Sequence, residues 1–86
     1  MTNPYRNTHE LTNAYESLKS TAQALQAHYI ALSRQALGDP ERQRTYKTDL
    51  EKVRDSVSRV NPDNKQEIDT LSASLRNELN RLRHLE

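Results

Sequence analysis

Cysteine, tryptophan and phenylalanine are absent from this chain, and its 86 residues include a single glycine. Without cysteine, a disulfide framework, a thiol nucleophile and a thiolate metal site are all excluded. One glycine cannot make a glycine-rich phosphate-binding loop. No apolar run approaches the roughly 20 residues of a membrane-spanning helix, and the polar N-terminal segment does not match a signal peptide. We therefore expect a cytoplasmic protein with no membrane contact and no cofactor.

Large apolar residues are also scarce. Leucine, isoleucine and valine together account for 16 of the 86 residues. A content below about a fifth indicates disorder when the net charge is high, but here 13 basic and 12 acidic residues leave a net charge of +1. We predict one small folded domain with a thin core, of a kind that commonly gains stability from oligomerisation or from a partner. The balanced charge produces no global field that would favour nucleic acid.

The apolar residues of the N-terminal half recur with the period of a helix. Leucine stands at four positions seven residues apart, and tyrosine or alanine stands between them. The complete set, which we call the helix 1 seam, is Leu11, Tyr15, Leu18, Ala22, Leu25, Tyr29, Leu32 and Ala36. Spacing that alternates four and three predicts a heptad-patterned helix. The alternation of large and small residues favours packing against helices of the same chain, because parallel zippers prefer β-branched residues at these positions.

Glycine, proline and capping residues divide the chain into three predicted helices. We place them at about residues 9–37, 40–60 and 62–84, after a polar lead-in over residues 1–8. The final dipeptide, residues 85–86, matches a cloning scar of affinity-tag vectors and is left out of the domain. Both connections are short, so we expect sequential helices to run antiparallel.

The predicted helix ends rest on residues with specific capping roles. Thr8 is expected to cap the first helix, and Gly38 to end it in a left-handed conformation. Asp39 is expected to cap the second helix, because a proline suited to the first helical position follows it. Asn61 is expected to cap the third helix, with Pro62 as the first helical residue.

The second and third segments carry apolar seams of their own, spaced four, three, four and three in the second and three, four, four and three in the third. Their members are Tyr46, Leu50, Val53, Val57 and Val60 in the second segment, and Ile68, Leu71, Leu75, Leu79 and Leu82 in the third. Three amphipathic helices joined by short turns predict an all-α protein, an antiparallel up-down-up three-helix bundle with a heptad-type core. The alternative is a helical hairpin that dimerises into a four-helix bundle.

Residue types that carry catalysis or metal binding form no recognisable motif. The three histidines, His9, His28 and His84, have no histidine partner at helical spacing. The acidic residues of the second and third helices interleave with lysine and arginine, as on a solvated helix face, and match no calcium loop. We expect that the chain is not an enzyme and that it holds no metal ion.

The first helix carries a further set of apolar residues outside its seam. We call the second stripe the apolar residues Ala27, Ile30, Ala31 and Leu37, together with Arg34, which lies among them. A helix with two apolar faces is expected to have two neighbours. One interpretation makes helix 1 the central helix, with helices 2 and 3 on separate stripes. The other leaves the second stripe for another chain, with Arg34 as its polar edge.

A basic flank on the second helix is the main rival as a binding surface. Arg44, Lys47 and Arg54 lie on roughly one side of that helix and could contact phosphates. Acidic residues occupy the same helix, and the aromatic residue among these basic residues, Tyr46, belongs to the seam and is not expected to stack on bases. Nucleic-acid binding is therefore the alternative rather than the favoured function.

The first two helices and their Gly38-Asp39 turn resemble, in length and polarity, the helical-hairpin co-chaperones of type III secretion needle subunits. The resemblance covers roughly residues 10–60 and leaves the third helix outside it. It implies binding to another protein and carries over no residue. From all these features we predict a small non-enzymatic adaptor, assembly factor or chaperone-like module that binds another protein or a second copy of itself through the second stripe.

Overall fold

The protein is an all-α three-helix bundle. The computed structural model describes the backbone of residues 4–85 and the side chains of residues 9–84. Its helices are α1 (Pro4–Gln35), α2 (Pro40–Arg59) and α3 (Lys65–Leu85). The predicted fold class is therefore confirmed, while several predicted helix ends need correction.

Helix α1 is displaced at both ends from the prediction. It begins at Pro4, so the predicted lead-in is helical from that residue onward and Thr8 lies inside the helix rather than capping it. Proline is well suited to a first helical position, because its missing N–H would have no intrahelical acceptor there. Residues 1–3 and Glu86 lie outside the described residues. At the other end α1 stops at Gln35, and Leu37 belongs to the turn that follows.

The turn between α1 and α2 has the predicted chemistry. Gly38 adopts a φ of +96°, a left-handed conformation that costs a glycine little because it has no Cβ. The Asp39 N–H donates to the Ala36 carbonyl at 2.9 Å and closes the turn. The Asp39 carboxylate then accepts from the Arg42 N–H at 3.2 Å and caps α2.

The turn between α2 and α3 differs from the prediction, because Asn61 does not cap α3. The Asn61 carbonyl accepts from the Asn64 N–H at 3.0 Å, and its side chain accepts from the Asp63 N–H at 3.0 Å. These bonds place Pro62 within a tight turn rather than in a helix. Asn64 caps α3 instead, since its side-chain oxygen accepts from the Glu67 N–H at 3.1 Å.

The core is built from the three predicted seams. Helix 1 seam residues from Leu18 to Leu32 are buried, and the end members Leu11, Tyr15 and Ala36 are half-buried. The most completely buried side chains are Leu18, Leu25, Ile68 and Leu82. Every predicted seam residue of α2 and α3 is likewise buried or half-buried.

Helix α1 is the central element, and the other two helices flank it. Gln43 contacts Ser33 and Tyr46 contacts Tyr29, so α2 runs antiparallel to α1. Both α2 and α3 pack along α1, whereas α2 and α3 approach each other closely at few positions. The fold measures 59 × 23 × 14 Å. With helices spaced about 8–10 Å apart, these dimensions describe a flattened layer in which α1 lies between its neighbours.

The flattened arrangement gives the molecule two faces. On one, which we call the groove face, a cleft runs between α2 and α3 with Leu25 and Tyr29 of α1 at its floor. The opposite side, which we call the stripe face, presents the part of α1 that is turned away from Leu25. Helical spacing of about 100° per residue places Ala27 and Arg34 on that side.

Candidate protein-binding surface on the central helix

The second stripe lies on the surface of the fold. Ile30 keeps 45% of its accessible surface and Leu37 keeps 79%, and these two are the exposed large apolar residues of the protein's described part. Ala27, Ala31 and Arg34 are exposed as well. Helix α1 is thus central, yet both of its neighbours pack against the seam and its flanks. Neither α2 nor α3 covers the second stripe.

A shallow depression continues the second stripe toward α2. Ile30 and Arg34 of α1 and Lys47 and Leu50 of α2 line it, over a volume of about 270 Å³. The Tyr29 and Tyr46 rings form its base, with centroids 6.4 Å apart and planes tilted by 33°.

The walls of this depression are held by contacts between α1 and α2. The Gln43 side-chain amide donates to the Ser33 carbonyl at 3.2 Å and ties the two helices at one end of the depression. The ring pair adds aromatic packing at its base. Ile30 therefore lies beside a part of the α1–α2 contact that a hydrogen bond and an aromatic pair hold together.

The basic flank of α2 adjoins the second stripe rather than lying apart from it. Lys47 lines the same depression as Ile30. Arg54 follows Lys47 by seven residues and lies on the same side of α2. Arg44 lies about 60° from Lys47 around the helix axis, on the side turned away from α1. All three are exposed, and none forms an ion pair within residues 9–84. Exposed Glu51 lies among them.

A pair of hydrogen bonds on the groove face, centred on Glu78, was not predicted from the sequence. The Tyr29 hydroxyl donates to Glu78 Oε1 at 3.1 Å, and Arg81 Nε donates to Glu78 Oε2 at 3.1 Å. The hydroxyl of a buried tyrosine usually finds a hydrogen-bond partner, which was the one signal that a carboxylate faces this seam position. The partner itself lies 49 positions away, so local spacing could not identify it.

The protonation states of Tyr29 and Glu78 follow from their contacts. Burial, and then the Glu78 carboxylate, raise the pKa of the Tyr29 hydroxyl well above its ordinary value. The hydrogen bond from Arg81 lowers the pKa of Glu78, while burial opposes the shift and the Tyr29 hydrogen bond adds to it. Near neutral pH, the raised pKa keeps the Tyr29 hydroxyl protonated and the lowered pKa keeps Glu78 ionised. The hydrogen bond between these two groups joins α1 to α3.

Within residues 9–84, histidine, aspartate and glutamate nowhere form a group of three that could hold a metal ion. His28 is half-buried on the flank of α1. No helix in the described part of the chain has the length and apolar character needed to cross a membrane.

Comparison with known proteins returns no match to a family model, a curated protein or a solved structure. The resemblance of the first two helices to type III secretion co-chaperones therefore rests on their length and polarity alone.

Proposed function

We propose that this chain is a non-enzymatic protein-binding module that contacts its partner through the second stripe, which lies on α1 and, at Leu37, on the turn that follows it. The observation that carries the proposal is the 45% exposure of Ile30, since the other large apolar helix residues within residues 9–84 are buried or half-buried in the core. With so few large apolar residues in the sequence, leaving one on the outer face of the central helix forgoes core stability. A contact with another chain would recover that contribution.

The support is stronger for a protein partner than for a small ligand. A small ligand prefers an enclosed cavity of about 300–1,000 Å³ that buries most of its surface. The second stripe is instead an open face with a shallow depression beside it. Open faces with an apolar centre and a charged rim are typical of protein interfaces.

A photo-crosslinking experiment tests the proposal directly. Benzoylphenylalanine replaces Ile30 in the full chain, and a matched variant carries it at Thr48, an exposed position of α2 away from the stripe. We expect discrete covalent adducts from position 30 in the cells that naturally produce this chain, and none of the same adducts from position 48. Identical adducts from both positions, or none from position 30, would contradict the proposal.

A second measurement separates binding from folding. The double substitution Ile30→Asp with Leu37→Asp should leave the helical circular dichroism signal unchanged, because both side chains are exposed. Placed in a chain that carries the crosslinker at Ala27, it should remove the adducts. Loss of helicity would instead show that the stripe supports the core.

Nucleic-acid binding is the second candidate function. The lack of ion pairs at Arg44, Lys47 and Arg54 with any residue of the described part of the chain favours it. This function requires that RNA or DNA be retarded at low salt, and that the retardation fall steeply as salt rises. Arg44→Glu with Lys47→Glu should then abolish it. A chain that retards neither nucleic acid at low salt would eliminate this candidate.

A further inference from the structure

Two rows of cations that form no ion pair within residues 9–84 border the stripe face, one on each flanking helix. On α2, Asp49 and Ser56 line the cleft of the groove face, and Lys47 and Arg54 lie roughly 160° from them by helical spacing. Lys47 and Arg54 therefore face the stripe side, in agreement with the place of Lys47 in the depression beside Ile30.

Helix α3 repeats the arrangement on the other side of α1. Ser74 and Glu78 line the groove-face cleft, and Arg76 and Arg83 lie roughly opposite them on the helix. Arg76 and Arg83 are seven residues apart, as are Lys47 and Arg54. Each row thus spans two helical turns, about 10 Å. The contacts of Tyr29 with Tyr46 and Glu78 place Lys47, Arg76 and Arg83 level with the second stripe, and they place Arg54 beyond its Ala27 end.

The charge on the stripe face is strongly one-sided, although the whole chain carries only +1. Within residues 9–84, the cations of the stripe face that form no ion pair are Arg34 and the four residues of the two rows. Two acids on this face, Glu16 and Asp69, are paired within their own helices, with Lys19 at 3.5 Å and Lys65 at 2.8 Å. Glu51 is the unpaired acid that helical spacing places among these cations.

From this arrangement we infer that the occupant of the second stripe is an amphipathic helix of another protein, with acidic residues on both flanks of its apolar face. The inference rests on the proposed protein-binding role and names the chemistry of the partner. A helix about 10–12 Å in diameter fits between the rows, because α2 and α3 each lie about 8–10 Å from α1. Its apolar face would contact Ile30 and the alanines, and its carboxylates would reach the cations.

The same charges argue against a second copy of this chain as the occupant. A two-fold symmetric interface brings the same surface of each copy together. Arg34 and both rows would then meet a face of the same sign, and like charges brought together at an interface oppose association.

The composition of the face also argues against nucleic acid. Its centre is apolar, and phosphates gain nothing from contact with Ile30 or alanine. Bases bind single-strand sites by stacking on exposed aromatic rings. Among residues 9–84, Tyr29 is buried, and Tyr15 and Tyr46 are half-buried.

The test is a titration of the ¹⁵N-labelled full chain with two synthetic helical peptides, followed by NMR. Both peptides carry leucines at i, i+4 and i+7, and they differ only in having glutamate or lysine on both flanks. The glutamate peptide should shift the amide signals of Ile30, Arg34 and Lys47 and bind about tenfold more tightly than the lysine peptide, because several rim charges attract one and repel the other. Raising the salt concentration should reduce the difference.

Charge reversal supplies the matched control. Arg34→Glu with Lys47→Glu should invert the preference in favour of the lysine peptide. Lys52→Glu with Arg59→Glu changes the net charge by the same amount and should preserve the preference. Lys52 lines the groove-face cleft, and Arg59 lies beside Ser56 and Val60, away from the stripe face. Circular dichroism on both variants checks that the helices remain intact.

The other outcomes each contradict a specific step. Equal binding of both peptides at Ile30, or tighter binding of the lysine peptide, would overturn the acidic partner and leave the protein-binding role of the stripe standing. If neither peptide binds at millimolar concentration, the inference of an acidic helical partner is also overturned. The crosslinker at position 30 then decides whether the stripe binds any protein. An RNA oligonucleotide is titrated in the same way. If it shifts the amide signals of Lys47 and Arg54 more than the glutamate peptide shifts that of Ile30, the inference is overturned in favour of nucleic acid.

Discussion

The hydrogen bond between Tyr29 and Glu78 should contribute measurably to the free energy of unfolding. A hydrogen bond to a charged group contributes about 1.5–3 kcal/mol. The Glu78 side chain is 34% exposed, so solvent screening reduces the expected contribution to about 1 kcal/mol. In a domain of this size that corresponds to a decrease in melting temperature of about 5 °C for Tyr29→Phe.

A double-mutant cycle with Glu78→Ala isolates this contribution. Urea denaturation followed by circular dichroism gives the free energy of unfolding for Tyr29→Phe, Glu78→Ala and the double variant. We expect a coupling energy of about 1 kcal/mol, because the loss of the Arg81 contact occurs equally with either residue at position 29. A coupling energy indistinguishable from zero would refute the reasoning that this bond joins α1 to α3.

The coupling should also depend on pH in a defined direction. The pKa of Glu78 is lowered in the folded chain from its ordinary value of 4.5. The unfolded state therefore binds the proton more readily, and the stabilisation is fully present above pH 4.5. It is lost as the pH falls from there through the folded pKa, where the carboxylate becomes protonated. Coupling that persists undiminished after Glu78 has been protonated would show that the carboxylate charge is not its source.

Two further substitutions test the core and the corrected helix cap. Leu18→Ala should lower the free energy of unfolding by about 3 kcal/mol, because Leu18 is 0% exposed. Leu37→Ala, the same change at an exposed site, should alter it by less than about 0.5 kcal/mol; equal effects in urea denaturation would contradict the assigned core. Asn64→Ala should cost about 1 kcal/mol through loss of the α3 cap, whereas Asn77→Ala, inside α3, should be neutral or slightly stabilising. A larger loss at Asn77 than at Asn64 would place the cap elsewhere.

Local sequence was sufficient where one short-range effect dominated. The 4–3 spacing of the seams predicted three helices and their buried faces, because a helix returns residues three and four apart to the same side. Gly38 and Asp39 were identified for the same reason, since each acts on backbone groups within a few residues. Where two local effects competed, prediction failed: Asn61 and Asn64 are both capable caps, and the turn around Pro62 selects the second.

The start of α1 illustrates a different limit. Thr8 is a good capping residue, but the helix continues back to Pro4. A potential cap does not force a helix to begin when the preceding residues can extend it at little cost.

The sequence by itself determined the helices, their seams and the identity of the residues left over, because periodicity separates one helix face from the others. Tertiary structure alone decided how those faces are oriented toward one another. The flattened packing of α2 and α3 around α1 leaves Ile30 exposed, brings Tyr29 to Glu78 and turns Lys47 toward the second stripe. These relations join residues on different helices, and their physical cause is the rotation of each helix about its own axis. That rotation is set by the packing of the whole core and by no single segment.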